Sequence, residues 1–286
     1  MKKRKIISSF MYSEPYEKDL LIAKIKTESL YVDEWHIVES KETFHKENKE
    51  LTLTKVLKNK EFNEYKCRIF TYFIDKFPEK IVSKSNLIIS NLKSISNKIK
   101  KRGYIEYEKN NFDCEAYQRS YGMKNNPRLG KDDLIINCDL DEILCIKKEN
   151  IRNFKNNIDK NQACIKYIPR ISFIYDIDNL RPSIRYTPVC NGQYLINTNF
   201  NMQAQRNKIK INNKNLISPK ISKILEYSFC FKKKFIDNKL NSFAHYGLRI
   251  NQENIDCLKL NIPAVRSMAE FNRKVKNPEF WLEKYI

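Results

Sequence analysis

Two aspartates that follow an apolar run are the residues of this chain best placed to do chemistry. Residues 134–138 are largely apolar and lead directly into Asp139, Leu140 and Asp141, with Glu142 next. In an extended chain, residues i and i+2 point to the same side, so the two aspartate carboxylates are expected to converge. Carboxylate oxygens suit Mn²⁺ or Mg²⁺, ions that commonly bridge a protein to substrate phosphates. The motif therefore predicts a metal site that would neutralise a diphosphate leaving group.

A second pair of the same spacing, Asp176 and Asp178, also follows an apolar run. Aspartates form turns at strand ends as well, so the pattern by itself leaves a metal site and a simple turn both open. A carboxylate near such a site can also act as a general base. Glu142, Asp176 and Asp178 all remain candidates for that role.

Histidine is scarce, with three residues in the chain. Imidazole is a good ligand for Mn²⁺, which makes His245 a candidate third metal ligand, and a helix cap is the alternative. His36 lies inside a predicted strand and is expected to be structural.

Predicted strands and helices alternate along the chain around these residues. Apolar, β-branched and aromatic runs predict strands at Ile6–Met11 and at residues 35–38, 68–74 and 134–138. An amphipathic helix is predicted over 14–30. This alternation favours an α/β sheet with Asp139 at the carboxyl end of a central strand. Further along, the patterns predict a helix at 151–158, strands within 163–175, an irregular segment at 191–215 and a last ordered piece at 221–245. One domain over 1–286 is the simplest organisation.

Glu39 and Arg119 are further candidates for ligand binding. Glu39 ends the second predicted strand, at the same edge as Asp139 if the strands are parallel. Arg119, with Gln118 beside it, offers a guanidinium that can form paired hydrogen bonds to phosphate oxygens. The alternative for Glu39 is a polar residue that simply ends a strand, and the alternative for Arg119 is a surface arginine on a helix.

The chain is strongly basic, with 54 Lys and Arg against 34 Asp and Glu, a net charge of +20. The basic residues are scattered rather than concentrated in a stripe, so nucleic acid is not the expected partner. Residues 79–105 are predicted to form an inserted basic amphipathic helix. Such a helix is typical of a solvated surface, and a peripheral contact with an anionic membrane is the alternative.

The spacing of the cysteines and the sequence of the first residues predict the cellular compartment. None of the eight cysteines forms a Cys-x-x-Cys pair, which disfavours a structural zinc site. No secretory signal and no apolar run long enough to span a membrane stand out. The expectation is a reduced, cytoplasmic protein.

Three blocks of the sequence resemble glycosyltransferase family 17, the β-1,4-mannosyl-glycoprotein N-acetylglucosaminyltransferases and their microbial relatives. The blocks occur in family order and span most of the chain. They comprise Phe10, Glu14, residues 19–21, 30–40 and 43–44, then Glu115, Gln118, Arg119 and residues 139–143, and finally residues 239–245. The chain departs from the family at Ser228, where the family has a histidine, and at Lys232 and Lys233, where it has two glycines.

The resemblance implies a GT-A-like fold with a central, mostly parallel sheet flanked by helices. It implies transfer of a sugar, foremost N-acetylglucosamine, from a UDP-sugar donor to a glycan acceptor. The implied roles are Asp139, Asp141 and His245 for the metal, Glu39, Gln118, Arg119 and Asp139 for the donor, and Asp141 and Glu142 for catalysis.

Two other functions stay open at this point. A basic nucleic-acid-binding protein would explain the charge but not the acidic motif. A metal-dependent nuclease would explain both, although nucleases usually carry a denser acidic cluster.

Overall fold

The chain forms a mixed β-sheet flanked by helices. A computed structural model describes residues 4–13, 17–78, 102–174, 176–180, 185–206 and 213–228. The strands in these ranges are β1 Ile6–Met11, β2 Glu34–Ser40, β3 Ile69–Ile74, β4 Leu134–Asn137, β5 Glu142–Ile146, β6 Ile165–Ile174, β7 Asp176–Leu180, β8 Arg185–Asn191 and β9 Ser222–Ser228.

Six α-helices are described, and most of them are short. They are α1 Lys18–Glu28, α2 Leu53–Val56, α3 Arg102–Lys124, α4 Ile151–Asn156, α5 Gly192–Asn197 and α6 Met202–Arg206. A 3₁₀ helix at Lys60–Arg68 leads into β3. Within the described ranges, no helix combines the length and apolar composition needed to cross a bilayer.

The sheet has a parallel half, β3-β2-β1-β4, and a mixed half that contains the remaining strands. Its strand order is β3-β2-β1-β4-β8-β6-β9-β5, with β7 paired to β6. The pairs β1–β2, β2–β3, β1–β4 and β6–β9 are parallel. The pairs β4–β8, β6–β8, β6–β7 and β5–β9 are antiparallel.

The expectation of a mostly parallel sheet is therefore wrong, while the α/β class is confirmed. The reason lies in the connections of the second half. A single residue joins β6 to β7, and only a tight turn joins β4 to β5. A parallel neighbour needs a crossover of a dozen or more residues, so short links of this kind give antiparallel neighbours or send the chain elsewhere in the sheet.

The parallel half contains the most buried strands. Ile6 and Ile7 on β1, and Leu134 to Ile136 on β4, are each 0% exposed. A strand covered on both faces requires apolar side chains in an unbroken run, which explains why the sequence of β4 shows no alternation. β1 lies between β2 and β4, so the strand order reverses there. In open α/β sheets, the crevice at such a reversal is where ligands bind, outside the carboxyl ends of the strands.

Several predicted elements are confirmed, and one is wrong. β1 has the predicted bounds, and β2, β3, β4, α1 and α4 lie within a few residues of theirs. The segment 191–215 was expected to be irregular, yet it contains α5 and α6. Its asparagines include a helix cap, because the Asn191 side chain accepts a hydrogen bond from the backbone N–H of Tyr194. Residues 79–101 and 229–286 lie outside the described ranges, and with them most of the predicted insertion and the end of the last ordered piece.

Candidate active site

Residues 139–142 form a tight turn between β4 and β5, here named the acidic turn. The backbone N–H of Glu142 donates to the carbonyl of Asp139 at 3.1 Å, which closes the turn. Asp139 follows the carboxyl end of β4, as the sequence predicted. The two aspartates are not in extended chain, however, so the strand argument for their convergence is wrong. The chain reverses at Leu140 and Asp141 instead of continuing the strand.

Both carboxylate oxygens of Asp139 accept hydrogen bonds from arginines. Arg119 donates to Oδ1 at 2.6 Å, and Arg206 donates to Oδ2 at 2.7 Å. The Arg119 side chain is only 3% exposed and that of Asp139 is 33% exposed. Burial alone would raise the pKa of Asp139, but the two guanidinium groups outweigh it and hold the pKa well below its usual range.

Glu142 is the most enclosed residue of the acidic turn, at 0% exposed. Its Oε1 accepts from Arg206 at 2.6 Å and also from Arg170. Its Oε2 accepts from the Thr187 hydroxyl at 3.1 Å and from the backbone N–H of Asp139 at 3.2 Å. Burial opposes ionisation, but Arg170 and Arg206 lower the pKa of Glu142 to about 2. Glu142 is thus an ionised carboxylate whose oxygens are both already occupied.

The arginines reach the acidic turn from three separate elements. Arg119 lies on α3, Arg170 on β6 and Arg206 at the end of α6. Arg206 also donates to the carbonyl of Asn137 at 2.9 Å, which fastens α6 to the end of β4. Arg119 additionally binds Glu115, one helical turn earlier, at 2.7 Å. Planar guanidinium groups can serve two carboxylates at once, which lysines at these positions would not reproduce.

Glu226 on β9 is a further buried carboxyl group at this site, 5% exposed. It accepts a hydrogen bond from the Ser172 hydroxyl, and Arg170 Nε lies 3.4 Å from its Oε2. Burial raises the pKa of Glu226, Arg170 partly opposes the rise, and the nearby charges of Glu142 and Asp141 add to it. Arg170, Arg206 and Glu226 were not predicted from the sequence. The available signal was the alternation in β6, where Lys166, Arg170 and Ser172 share one face of the strand.

A buried ion pair on α1 contacts the backbone at the end of the acidic turn. Lys24 and Glu28 are both 0% exposed and lie 2.8 Å apart. Lys24 donates to the carbonyl of Glu142, and Glu28 accepts from the backbone N–H of Leu144 at 3.0 Å. The start of β5 is therefore fixed to α1 on the side of the turn that carries Glu142.

The charges and contacts around the acidic turn determine whether its residues could hold a divalent ion. Arg119, Arg170 and Arg206 face the carboxyl groups of Glu115, Asp139, Glu142 and Glu226, with Asp141 close enough to Glu226 to act on its charge. Acidic groups are in excess, which favours a cation. Nevertheless, the oxygens of Asp139 and Glu142 already bind guanidinium groups, and the described residues contain no group of three or more His, Cys, Asp or Glu arranged to hold a metal. These residues by themselves do not form a complete metal site.

Two of the predicted donor-binding residues have structural contacts of their own. The carboxylate of Glu39 accepts from the backbone N–H groups of Thr52 and Leu53, each at 2.9 Å, and so caps the start of α2. Gln118 is buried and donates to the carbonyl of Val38 at 3.0 Å. Arg119, by contrast, is brought directly to Asp139.

Four predicted residues remain, and His36 is the one whose side chain lies in the described part of the chain. His36 is buried, with its ring nitrogens near the Tyr72 hydroxyl and Glu34, in keeping with a structural role. His245 lies outside the described residues. Asp176 and Asp178 belong to β7 by their backbone, and their side chains lie outside the described part of the chain.

Comparisons of the chain with protein-family models, with curated proteins and with solved structures gave no significant match.

Proposed function

We propose that this chain is a glycosyltransferase that uses a nucleotide-diphosphate sugar. The observation that carries the proposal is the position of the acidic turn. It follows β4, beside β1, where the strand order reverses, and it is held there by buried arginines. Carboxyl ends of strands at such a reversal are the usual place for nucleotide ligands in α/β folds. The three sequence blocks supply the finer terms: UDP as the nucleotide, N-acetylglucosamine as the foremost sugar and a glycan as acceptor.

A GT-A-like fold is part of the same proposal. The parallel set β3-β2-β1-β4 supports a nucleotide-binding half. The antiparallel strand β8 next to β4 begins the other half, which would contribute to the acceptor side.

The arginines are proposed to meet the phosphate charge of the donor. Arg119 and Arg206 both bind Asp139, the most exposed carboxylate of the ion network around the acidic turn. A donor diphosphate approaching Asp139 would exchange part of these contacts for phosphate oxygens, which suit guanidinium geometry equally well. The involvement of Mn²⁺ or Mg²⁺ with Asp139, Asp141 and His245 stays a prediction.

Glu226 is the proposed proton acceptor for the attacking hydroxyl. A general base works best when its pKa is closer to neutral than that of an ordinary carboxylate. The pKa of Glu226 is raised by burial and by neighbouring carboxylates, whereas that of Glu142 is lowered to about 2. We therefore assign Glu142 to holding the arginines in place and Glu226 to the proton.

Hydrolysis of a panel of nucleotide sugars, with Mn²⁺ or Mg²⁺ present, tests the proposal. Release of UDP from one donor above all others is the expected result, and Asp141→Asn should abolish it. Asp178→Asn is the matched control, because it makes the same change in the second Asp-x-Asp pair. No turnover of any donor, together with cleavage of DNA or RNA, would replace the proposal with the nuclease alternative.

A further inference from the structure

A groove with a volume of about 1010 Å³ lies away from the acidic turn, and we name it the basic groove. It is lined by Arg4 and by residues between Lys148 and Lys166. Arg4 precedes β1 and binds the carbonyl of Asp132 just before β4, so the groove lies at the amino ends of these strands. Asp139 follows the opposite end of β4. β4 is four residues long. At the rise of a β-strand, its amino and carboxyl ends are therefore about 13 Å apart.

The lining of the basic groove is strongly cationic. Six basic residues contribute to it, against the acidic pair Glu149 and Asp159: Arg4, Lys148, Arg152, Lys155, Lys160 and Lys166. Both oxygens of Asp159 are already hydrogen-bonded within the chain. One of its oxygens accepts from the backbone N–H of Asn161 at 2.8 Å, and the other accepts from Gln162 at 2.9 Å.

Lys148, Arg152 and Lys160 are exposed, and none of them forms an ion pair within the described part of the chain. Like charges gathered around a concavity repel one another, and the field is focused inside it. An anionic ligand would relieve that repulsion.

Arg4 gives the groove a fixed cationic floor. Its Nη1 donates to the carbonyls of Lys155 at 2.6 Å and Ile158 at 2.9 Å, which locks the guanidinium in place. Its Nη2 is buried and has no hydrogen-bond partner among the described residues. A guanidinium held rigidly in this way contributes a fixed positive charge to the groove.

The other lining residues point to the chemistry of the ligand. Four amide side chains take part, and they can both donate to and accept from hydroxyl groups: Asn156, Asn157, Asn161 and Gln162. None of the lining residues in the described part of the chain is aromatic, so the groove offers no platform for stacked bases. We propose that the basic groove binds an acidic oligosaccharide, one that carries phosphate or carboxylate groups beside its hydroxyls. The proposal does not depend on sugar transfer at the acidic turn.

Calorimetry with a phosphorylated oligosaccharide, and with the same sugar after phosphatase treatment, tests the proposal on the full chain. An oligogalacturonate, inorganic tripolyphosphate and a single-stranded DNA oligonucleotide serve as further probes. The test variant is Arg152→Glu with Lys160→Glu. The control is Lys58→Glu with Lys124→Glu, which makes the same change in net charge at exposed residues outside the groove.

The phosphorylated sugar is expected to bind, and removal of its phosphate should abolish binding. The groove variant should weaken that binding by about tenfold or more and the control variant by less than about twofold, since the effect is local rather than a matter of net charge. Nucleotide-sugar hydrolysis should be unchanged in both variants, which separates this proposal from the proposed function. Equal losses in the two variants, or tighter binding of DNA or tripolyphosphate than of either acidic sugar, would overturn it.

Discussion

The ammonium group of Lys24 lies 2.8 Å from Oε1 of Glu28, and neither side chain is exposed to solvent. Lys24 also donates to the carbonyl of Glu142, and Trp35 donates to the other oxygen of Glu28 at 3.0 Å. One turn of α1 thus holds the strand that leaves the acidic turn. A buried pair of this kind adds little net stability over apolar residues, but breaking it leaves an uncompensated charge in the core.

Lys24→Met should lower the free energy of unfolding by about 3–5 kcal/mol, because Glu28 would remain buried without its cation. Urea unfolding measures this loss. The double variant Lys24→Met with Glu28→Gln removes both charges and keeps an acceptor for Leu144, so it should be more stable than the single variant. A double variant that is less stable would show that the pair acts through more than its charge.

Stability should fall in acid because of Glu142. Its folded-state pKa of about 2 lies below its ordinary value of 4.5, so its contribution is fully present above 4.5 and is lost as the pH falls through 2. That shift corresponds to a contribution on the order of 3 kcal/mol. Asp139 acts in the same direction. Unfolding curves between pH 6 and 2 for the unmodified chain and for Glu142→Gln would check this, and the variant should show the flatter dependence.

Asp139→Asn and Asp141→Asn should have different effects. Asp139 binds two arginines, so its loss should lower both stability and activity. Asp141→Asn should nearly abolish turnover, because Asp141 is a predicted metal ligand, and the fold should survive because the change removes charge but little volume. Thermal unfolding together with UDP release distinguishes the two. Equal destabilisation by both substitutions would contradict the division of roles.

Glu226→Gln should lower kcat at least about a hundredfold, the range typical of a lost general base, with little change in the KM for the donor. In the unmodified chain the rate should rise with pH through the raised pKa of Glu226, because the carboxylate must be deprotonated to accept a proton. The pH profile of kcat is the informative measurement. A profile that keeps its rising limb in the glutamine variant would assign the proton to another residue.

Binding of a UDP-sugar should weaken when divalent ions are removed, if the acidic motif holds Mn²⁺ or Mg²⁺. Calorimetry with and without a chelator measures this directly. His245→Ala should then reduce metal affinity and turnover together, and His45→Ala is the control. Unchanged donor affinity in chelator would assign the phosphate charge to Arg119 and Arg206 alone.

The strands of the parallel half and the location of the acidic turn follow from local sequence. β4 begins as an unbroken apolar run, which is what a strand buried on both faces requires, and β1 is apolar on either side of Ser8 and Ser9. Asp139 could be placed at a strand end because it is the second residue after β4 and the first charged one. The asparagines from the end of β8 onward misled the prediction, since Asn191 caps a helix rather than marking a loop.

The residues that surround that turn come together only in the folded chain. Arg170 and Arg206 are 28 and 64 residues from Glu142, and Glu226 is on a strand that pairs with β5 across the sheet. Such contacts depend on strand order and direction, which local periodicity does not contain. The same is true of Glu39, whose position at a strand end suggested a ligand contact while its hydrogen bonds cap α2. Residue type and spacing thus located the chemistry, and the packing of distant elements set its charges.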